Sequence, residues 1–576
     1  MSHFPHPGVR RRLARALSIA TIASVAIASL TGCAMIPRSG DVHEGVSAPA
    51  NESDLIQFLP SGPADGASPQ EILRGFVDAA TSPRDDWGIA REFLTKTFSA
   101  EWKPTAGVLI DQGNRDVTQK ALSGDAAEFV LDTSVYARVD ESGNYADTPA
   151  TRTQLSFGFA LQGGQWRISS APAGVLLDQS TFGQVFADQS LYFFDPSFER
   201  LVPDVRWFPA RVSTSTRVIK ALLSGPSSWL AQSDAVVSTI PPEAVLVADS
   251  VPVQDGTATV NFDIKSLRVD SLTSSRMLRQ ISASLSQVYG VDHVDMQFSG
   301  ASEGGTAVPS SSSLLAPSAY SSAVVDTEER FGTYQAGSVV TLPRIGEAIH
   351  ALRPQAVSVR MNLGVAAALT SSGLFSVFGD GQSVNVDARE RLIAPAVDTR
   401  GFLWSVPRDE PAAVRVASTD GSSSEVVVSW AAADTISALS VSPDGTRVAV
   451  ALGYREASRL CVAGITRSPD GVPVSLGPCL EPYVLVDNIQ ALGWADGERI
   501  AMLATPQSST NPVTYLLTVG GRFTSLSTLS DGTVINGSGP TATLRLGTAS
   551  GAVYEQASVS RWLLVASGVR LLATVN

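Results

Sequence analysis

The sequence predicts a multidomain chain of α+β and all-β class: an α+β domain, an α/β domain, and a C-terminal β-propeller of five or six blades. Three observations carry this. The 576 residues suit three or four domains at roughly 100 to 200 residues each. Helical periodicity changes to strand alternation twice in the first half of the chain. In the last part only short strands remain, recurring with turn residues between them at intervals that suit four-stranded blades.

Composition narrows the function. The formal net charge is −13 and the chain has 55 Asp and Glu against 42 Lys and Arg. A nucleic-acid binder needs a basic face to meet phosphate, so nucleic acid is excluded as a partner. Beyond the N-terminus the histidines are His43, His293 and His350, too few for a His-rich metal site or most His-based catalytic triads. No metal, no cofactor and no catalytic residue is expected.

Residues 1–32 hold Arg10, Arg11, Arg12 and Arg15, then the uncharged run ALSIATIASVAIASL, then Leu30-Thr31-Gly32 before Cys33. A basic region, a short apolar region and small residues at a cleavage point make a secretory signal, too short to span a bilayer comfortably. The LTGC sequence resembles the lipobox of bacterial lipoproteins, which implies that Cys33 is diacylglycerol-modified and becomes the first mature residue. Two acyl chains give stable anchoring, at ~0.8 kcal/mol per buried methylene. Removing the signal takes away four Arg and no acid, so the mature charge falls to −17. Anionic lipid repels such a chain, and attachment must come through Cys33. General secretory export is expected, with twin-arginine export, to which the Arg run also points, as the alternative.

Residues 33–68 are rich in Pro, Gly, Ser and Asp and read as a flexible tether. The first domain is expected over 69–182. PQEILRGFVDAA places Ile72, Leu73, Phe76 and Val77 on one helical stripe behind Pro69. From Ala126 the period is two, with a hairpin turn at Gly163-Gly164. Helices followed by a curved antiparallel sheet are similar to the NTF2-like cone fold.

The second domain is expected over 185–300. It combines the strand QSLYFFDPS, the helix TRVIKALLSGP, strands joined at Asp255-Gly256, a helix from Ser271 to Tyr289 and the strand VDHVDMQFSG. The set YFFD, ALLSGP, STIP, TVNFD and VDHVDMQFSG resembles the GerMN domain of bacterial envelope and sporulation proteins. His293 reads as a structural or surface residue. Residues 301–325 read as a Ser/Gly/Pro linker. Gly300-Ala301-Ser302-Glu303-Gly304 matches G-x-S-x-G, but a nucleophile elbow needs a helix after the serine and low-complexity sequence follows.

Residues 330–576 are expected to form the propeller. Gly364, Gly401, Gly445, Gly497 and Gly551 anchor five repeats spaced 37, 44, 52 and 54 residues apart. Asp444-Gly445, Asp496-Gly497 and Asp531-Gly532 supply turn chemistry, and Trp404, Trp430, Trp494 and Trp562 read as blade-core residues. A sixth blade or a closure could combine FGTYQAGSVVTL with WLLVASGVRLLATV and remove exposed sheet edges. Cys461 and Cys479 make an even pair in an oxidising compartment, so a disulfide is expected, with two buried thiols as the alternative. Asp85-Asp86 and Glu328-Glu329 read as solvated acidic runs, not a catalytic pair.

The lipobox, the domain order and blade motifs such as AVDTRGFLWSV together resemble the LpqB family of actinobacterial lipoproteins. That resemblance implies an extracytoplasmic lipoprotein on the cell membrane that works with the MtrA/MtrB two-component system, contacting the external sensor domain of the histidine kinase. The residues alone support an anchored, non-enzymatic binding protein. The alternative is an envelope scaffold that binds peptidoglycan or another wall glycan.

Overall fold

The structure, a computed structural model, describes residues 60–575 apart from 211–212, 264–268, 310–321, 456, 485, 528 and 538–543. Residues 1–32, Cys33 and most of the tether lie outside the described residues. Among those described, no helix is long and apolar enough to cross a membrane.

The first helix runs Pro69–Ala79. Ser68 and Glu71 form a reciprocal capping box at its start, with Glu71 accepting from the Ser68 amide at 2.8 Å, and Pro69 sits where its missing N–H costs nothing. Ile72, Leu73, Phe76 and Val77 are buried as the stripe predicts. The tether expectation is corrected at its end, because residues 60–68 already lie on the domain: Gly66 donates to Gln165 at 2.7 Å and Ala67 packs against the core.

The sheet of this domain has strands β1 (Gly107–Ser123), β2 (Ala126–Asp140), β3 (Tyr145–Gln162), β4 (Gln165–Ser170) and β5 (Val175–Asp178), ordered β4-β3-β2-β1-β5. Gly163 and Gly164 take φ of 61° and 76° in the β3–β4 turn, the left-handed pair that a tight hairpin requires.

The second domain opens on a hairpin, β6 (Phe186–Phe194) with β7 (Leu201–Pro209). Its main sheet holds β8 (Val245–Leu246), β9 (Val253–Gln254), β10 (Thr257–Asp263), β11 (His293–Phe298) and β12 (Ala301–Ala307). Asp255-Gly256 forms the expected β9–β10 turn with φ of 49° and 74°. The helix expected to Tyr289 stops at Ser284, although Leu285 and Val288 stay buried in the turns that follow. The linker expectation is corrected at both ends. Residues 301–307 form β12 because they satisfy the backbone edge of β11, and Ser302 lies in that strand, not at an elbow. At the other end, Val324–Asp326 already belongs to the propeller.

Six sheets make the propeller. Blade 1 takes three strands from residues 324–341 and its fourth from Leu571–Leu572; beyond Ala573, Thr574–Val575 joins blade 2 beside Ala356–Arg360. The sequence near Trp562 behaves differently from the expectation, since Arg561–Ala566 is the outer strand of blade 6 and only the last residues close the ring. Closure is pinned by charge. Asp326, fully buried, accepts from the Arg570 guanidinium and lies 2.8 Å from His350 Nδ1. Of the repeat anchors, Gly364, Gly401, Gly445 and Gly497 occupy first-to-second-strand turns of blades 2 to 5, whereas Gly551 sits between the second and third strands of blade 6. That misplacement accounts for the long final spacing.

Cys461 and Cys479 are joined by a disulfide with Cα atoms 5.2 Å apart, closing a separation of 18 residues. A loop of this size stabilises by about 3 kcal/mol in the chain-entropy model. Reducing the bond, or replacing both residues with Ser, is expected to lower the melting temperature of the propeller; scanning calorimetry with and without reductant measures it.

Candidate functional site

The tryptophans are structural, as their spacing suggests. Trp494 of blade 5 donates to Ser440 O of blade 4 at 3.1 Å, Trp430 to Pro411 O at 2.9 Å, and Trp562 to Ser527 O at 2.8 Å, so each ring ties neighbouring segments of the propeller. His293 is exposed on β11, and Asp85, Asp86, Glu328 and Glu329 are exposed. Among the described residues, no group of three or more His, Cys, Asp or Glu could hold a metal.

The turn aspartates do more than shape turns. Asp444 is buried and accepts from the Arg447 guanidinium, the Thr446 amide (2.9 Å) and Ser442 Oγ (2.7 Å). Burial raises its carboxyl, but Arg447 and these hydrogen bonds hold it below the ordinary range. Asp496 binds Arg499 in the same way, at 2.6 Å. The pattern Asp-Gly-x-Arg at 444–447 and again at 496–499 was the signal available in the sequence. At Asp496-Gly497 and Asp531-Gly532 the glycine is not left-handed, so side-chain acceptance, not positive φ, accounts for at least the Asp496 turn.

Arg447 is 1% exposed. Its guanidinium also donates to Gly497 O of blade 5 at 2.5 Å and to Pro203 O of β7 at 3.2 Å. One side chain thus joins two blades to the second domain. Around it, Arg200 donates to Asp444 O at 3.2 Å. Ser190 Oγ and Tyr192 Oη donate to Glu498 Oε1 at 2.6 and 3.2 Å. Further out, Thr466 Oγ1 donates to Ser233 O at 2.6 Å, and Gly464 and Gly477 leave room for Ser233 against the blade 4 backbone. The hairpin β6–β7 therefore covers the strand-turn end of blades 4 and 5. The first domain joins from its own side: Arg206 donates to Ser142 O at 2.9 Å and the Trp207 amide to Gly143 O at 2.8 Å.

The opposite end of the propeller carries an open cavity of about 270 Å³ beside the closure, lined by Ala356, Pro395, Thr548, Gly551 and Arg570 among others. The covered end and the open end are distinct faces of one propeller.

Comparison with known proteins fits this architecture. Residues 62–183 match the family model for the N-terminal domain of lipoprotein LpqB, and residues 329–571 match that for the lipoprotein LpqB beta-propeller domain. The chain belongs to the LpqB lipoprotein family. Residues 190–304 match a sporulation and spore germination family. The chain is 26% identical to lipoprotein LpqB of Bifidobacterium longum over 524 residues, covering 86% of this chain and 87% of that one. It is also 26% identical to LpqB of Streptomyces avermitilis over 542 residues, 87% and 88% of the two chains. With LpqB of Cutibacterium acnes it is 33% identical over 257 residues, 45% of this chain but only 42% of that protein. Among solved structures, the first GerMN domain of the sporulation protein GerM from Bacillus subtilis is similar at 18% identity, covering 21% of this chain and 94% of that one with a TM-score of 0.17. None of the three matching LpqB and germination families is described as an enzyme.

Two outcomes test the contact between the second domain and the propeller. A Cβ at Gly477 would press on Ser233, 3.1 Å from its Cα, and backbone cannot yield as a flexible side chain does. Gly477→Val is expected to split a shared thermal unfolding transition into two, read by calorimetry. The second outcome concerns Glu498, whose carboxyl burial raises above the ordinary range; the Ser190 and Tyr192 hydrogen bonds oppose this and Asp496 and Asp188 add to it. The folded chain holds this proton more tightly than the unfolded chain, so its contribution is present at low pH and is lost as pH rises from the ordinary carboxylate range through the raised value. Glu498→Gln is expected to remove that part of the pH dependence, measured as the difference in melting temperature from the parent across about pH 4 to pH 8.

Proposed function

We propose that this chain is an extracytoplasmic lipoprotein, anchored through lipid on Cys33, that binds the external sensor domain of an MtrB-like histidine kinase and biases its signalling state. The observation that supports this most directly is the arginine-centred junction of the second domain with blades 4 and 5. It makes the two domains present their outer surfaces in fixed relation, as a partner that reads both would need. A binding protein shifts a receptor only by its difference in affinity for the receptor's two states, and a rigid presenting body conveys such a difference better than domains on a loose string. Anchoring beside a membrane receptor raises the effective concentration.

The test is co-purification. Detergent-solubilised full-length chain is expected to retain the sensor's external domain on a column, and Gly477→Val to weaken that retention. No retention by the parent chain would reject the sensor reading, and pull-down by purified cell wall in its place would support the glycan-binding scaffold. Anchoring has its own measurement: Cys33→Ala is expected to move the protein from the detergent phase to the aqueous phase or to block its processing.

A further inference from the structure

Three adjacent strands of the first domain break their ladders at one level. In β1 the register skips from Asp111 to Arg115, in β2 it skips Tyr136, and in β3 it passes from Asp147 to Thr151. Single bulges are common, but they concentrate beside sites where a side chain is re-aimed. Here the side chains at that level are Asp111, Tyr136 and Asp147, with Tyr145 donating to Asp147 at 2.7 Å.

The same level is where three domains meet. Trp207 of β7 packs its ring 5.7 Å from Tyr145 and 5.0 Å from Phe182, and donates to Gly520 O of blade 5 at 3.2 Å. Two residues on, Arg522 of blade 5 reaches the first domain, its Nη1 3.1 Å from where a Cβ on Gly183 would stand. Between these parts lies an open groove of about 820 Å³, within the size range of small-molecule sites.

Charge selects the class of occupant. Asp178 is saturated by the amides and hydroxyls of Ser180 and Thr181, and Asp111 by Arg115, Thr133 and the Gly113 amide. Asp178 and Arg522 are the charged groups of the lining and are opposite in sign, so neither a net anion nor a net cation is favoured. The rest of the lining is neutral and polar: Gln112, Gln179, Ser180 and Gln184. Amides, a hydroxyl and one charge of each sign offer paired donors and acceptors for a ligand's hydroxyls.

We infer that this three-domain groove binds a neutral, hydroxyl-rich ligand of the oligosaccharide class. Gly183 keeps the groove open beside Arg522, and Gln184 and Arg522 hydrogen-bond ligand hydroxyls. The inference stands apart from the sensor reading, since it concerns another surface and another kind of ligand.

The experiment is calorimetric titration of the detergent-solubilised full chain with N-acetylchitotetraose and with maltotetraose, alongside inorganic phosphate and spermidine. At least one neutral oligosaccharide is expected to bind, with affinity falling about tenfold or more in Gly183→Leu, which fills the groove. Arg522→Gln and Gln184→Ala, which remove hydrogen bonds without adding bulk, carry the same expectation should the leucine disturb folding. Binding of neither sugar, binding that survives all three substitutions, or binding only of phosphate or spermidine overturns the inference.

Discussion

Burying a guanidinium demands acceptors, and Arg447 has them only when three parts of the chain are assembled. Its own turn supplies Asp444, the neighbouring blade supplies Gly497 O, and the second domain supplies Pro203 O. The planar fork lies 4.9 Å from the Trp494 ring, which adds a cation–π contribution in a desolvated site. A buried charge that loses a partner is destabilising by about 3 to 5 kcal/mol. Undocking the second domain would therefore strip Arg447 of one acceptor, and water would have to enter to replace it. The domain contact is thus part of how the propeller satisfies its own interior.

The ring closure uses the same chemistry. A propeller closes only if its last strand finds its first blade, and β-edges left open invite pairing with other chains. Here the two closing strands are very short, Leu571–Leu572 and Thr574–Val575, so their backbone bonds are few. Arg570, at the entry to the first of them, meets the buried carboxylate of Asp326 by side chain and its carbonyl by backbone at 2.8 Å. Arginine suits both positions because its fork can bond a carboxylate and carbonyls at once, which an ammonium on a flexible stem does less well.

What the sequence made legible was local. Pro69, Gly163-Gly164 and Asp255-Gly256 each set a helix start or a turn through a few neighbouring dihedrals, and each lies where its composition placed it. Blade tryptophans were legible because they repeat. What was missed depends on distant partners. Residues 301–307 look like linker, yet β11 leaves an edge that their backbone fills. Gly551 looks like the other anchors, but the turn it occupies is set by pairing within blade 6. Arg447 and Glu498 gave only the faint signal of Asp-Gly-x-Arg, since the acceptors and donors that define their roles lie in Pro203, Ser190 and Tyr192, more than two hundred residues earlier. Arg522 and Asp147 are more separated still, and no period links them.

The two junctions bear on each other. β7 carries Pro203, which caps Arg447, and four residues later Trp207, which bridges the first domain to blade 5. A strand is stiff along its length when paired, and β7 is paired with β6 from Leu201 to Pro209. Trp207 packs on Phe182, the chain neighbour of the groove's Gly183, so a ligand that shifted this ring would load the contact at Pro203, and the reverse would hold by reciprocity of coupling. A partner on the outer surface of the second domain and a ligand in the groove would thus be linked through one strand. The sign of that linkage depends on whether the groove is wider in the partner-bound body than in the free one, because a ligand stabilises the state in which its site fits better.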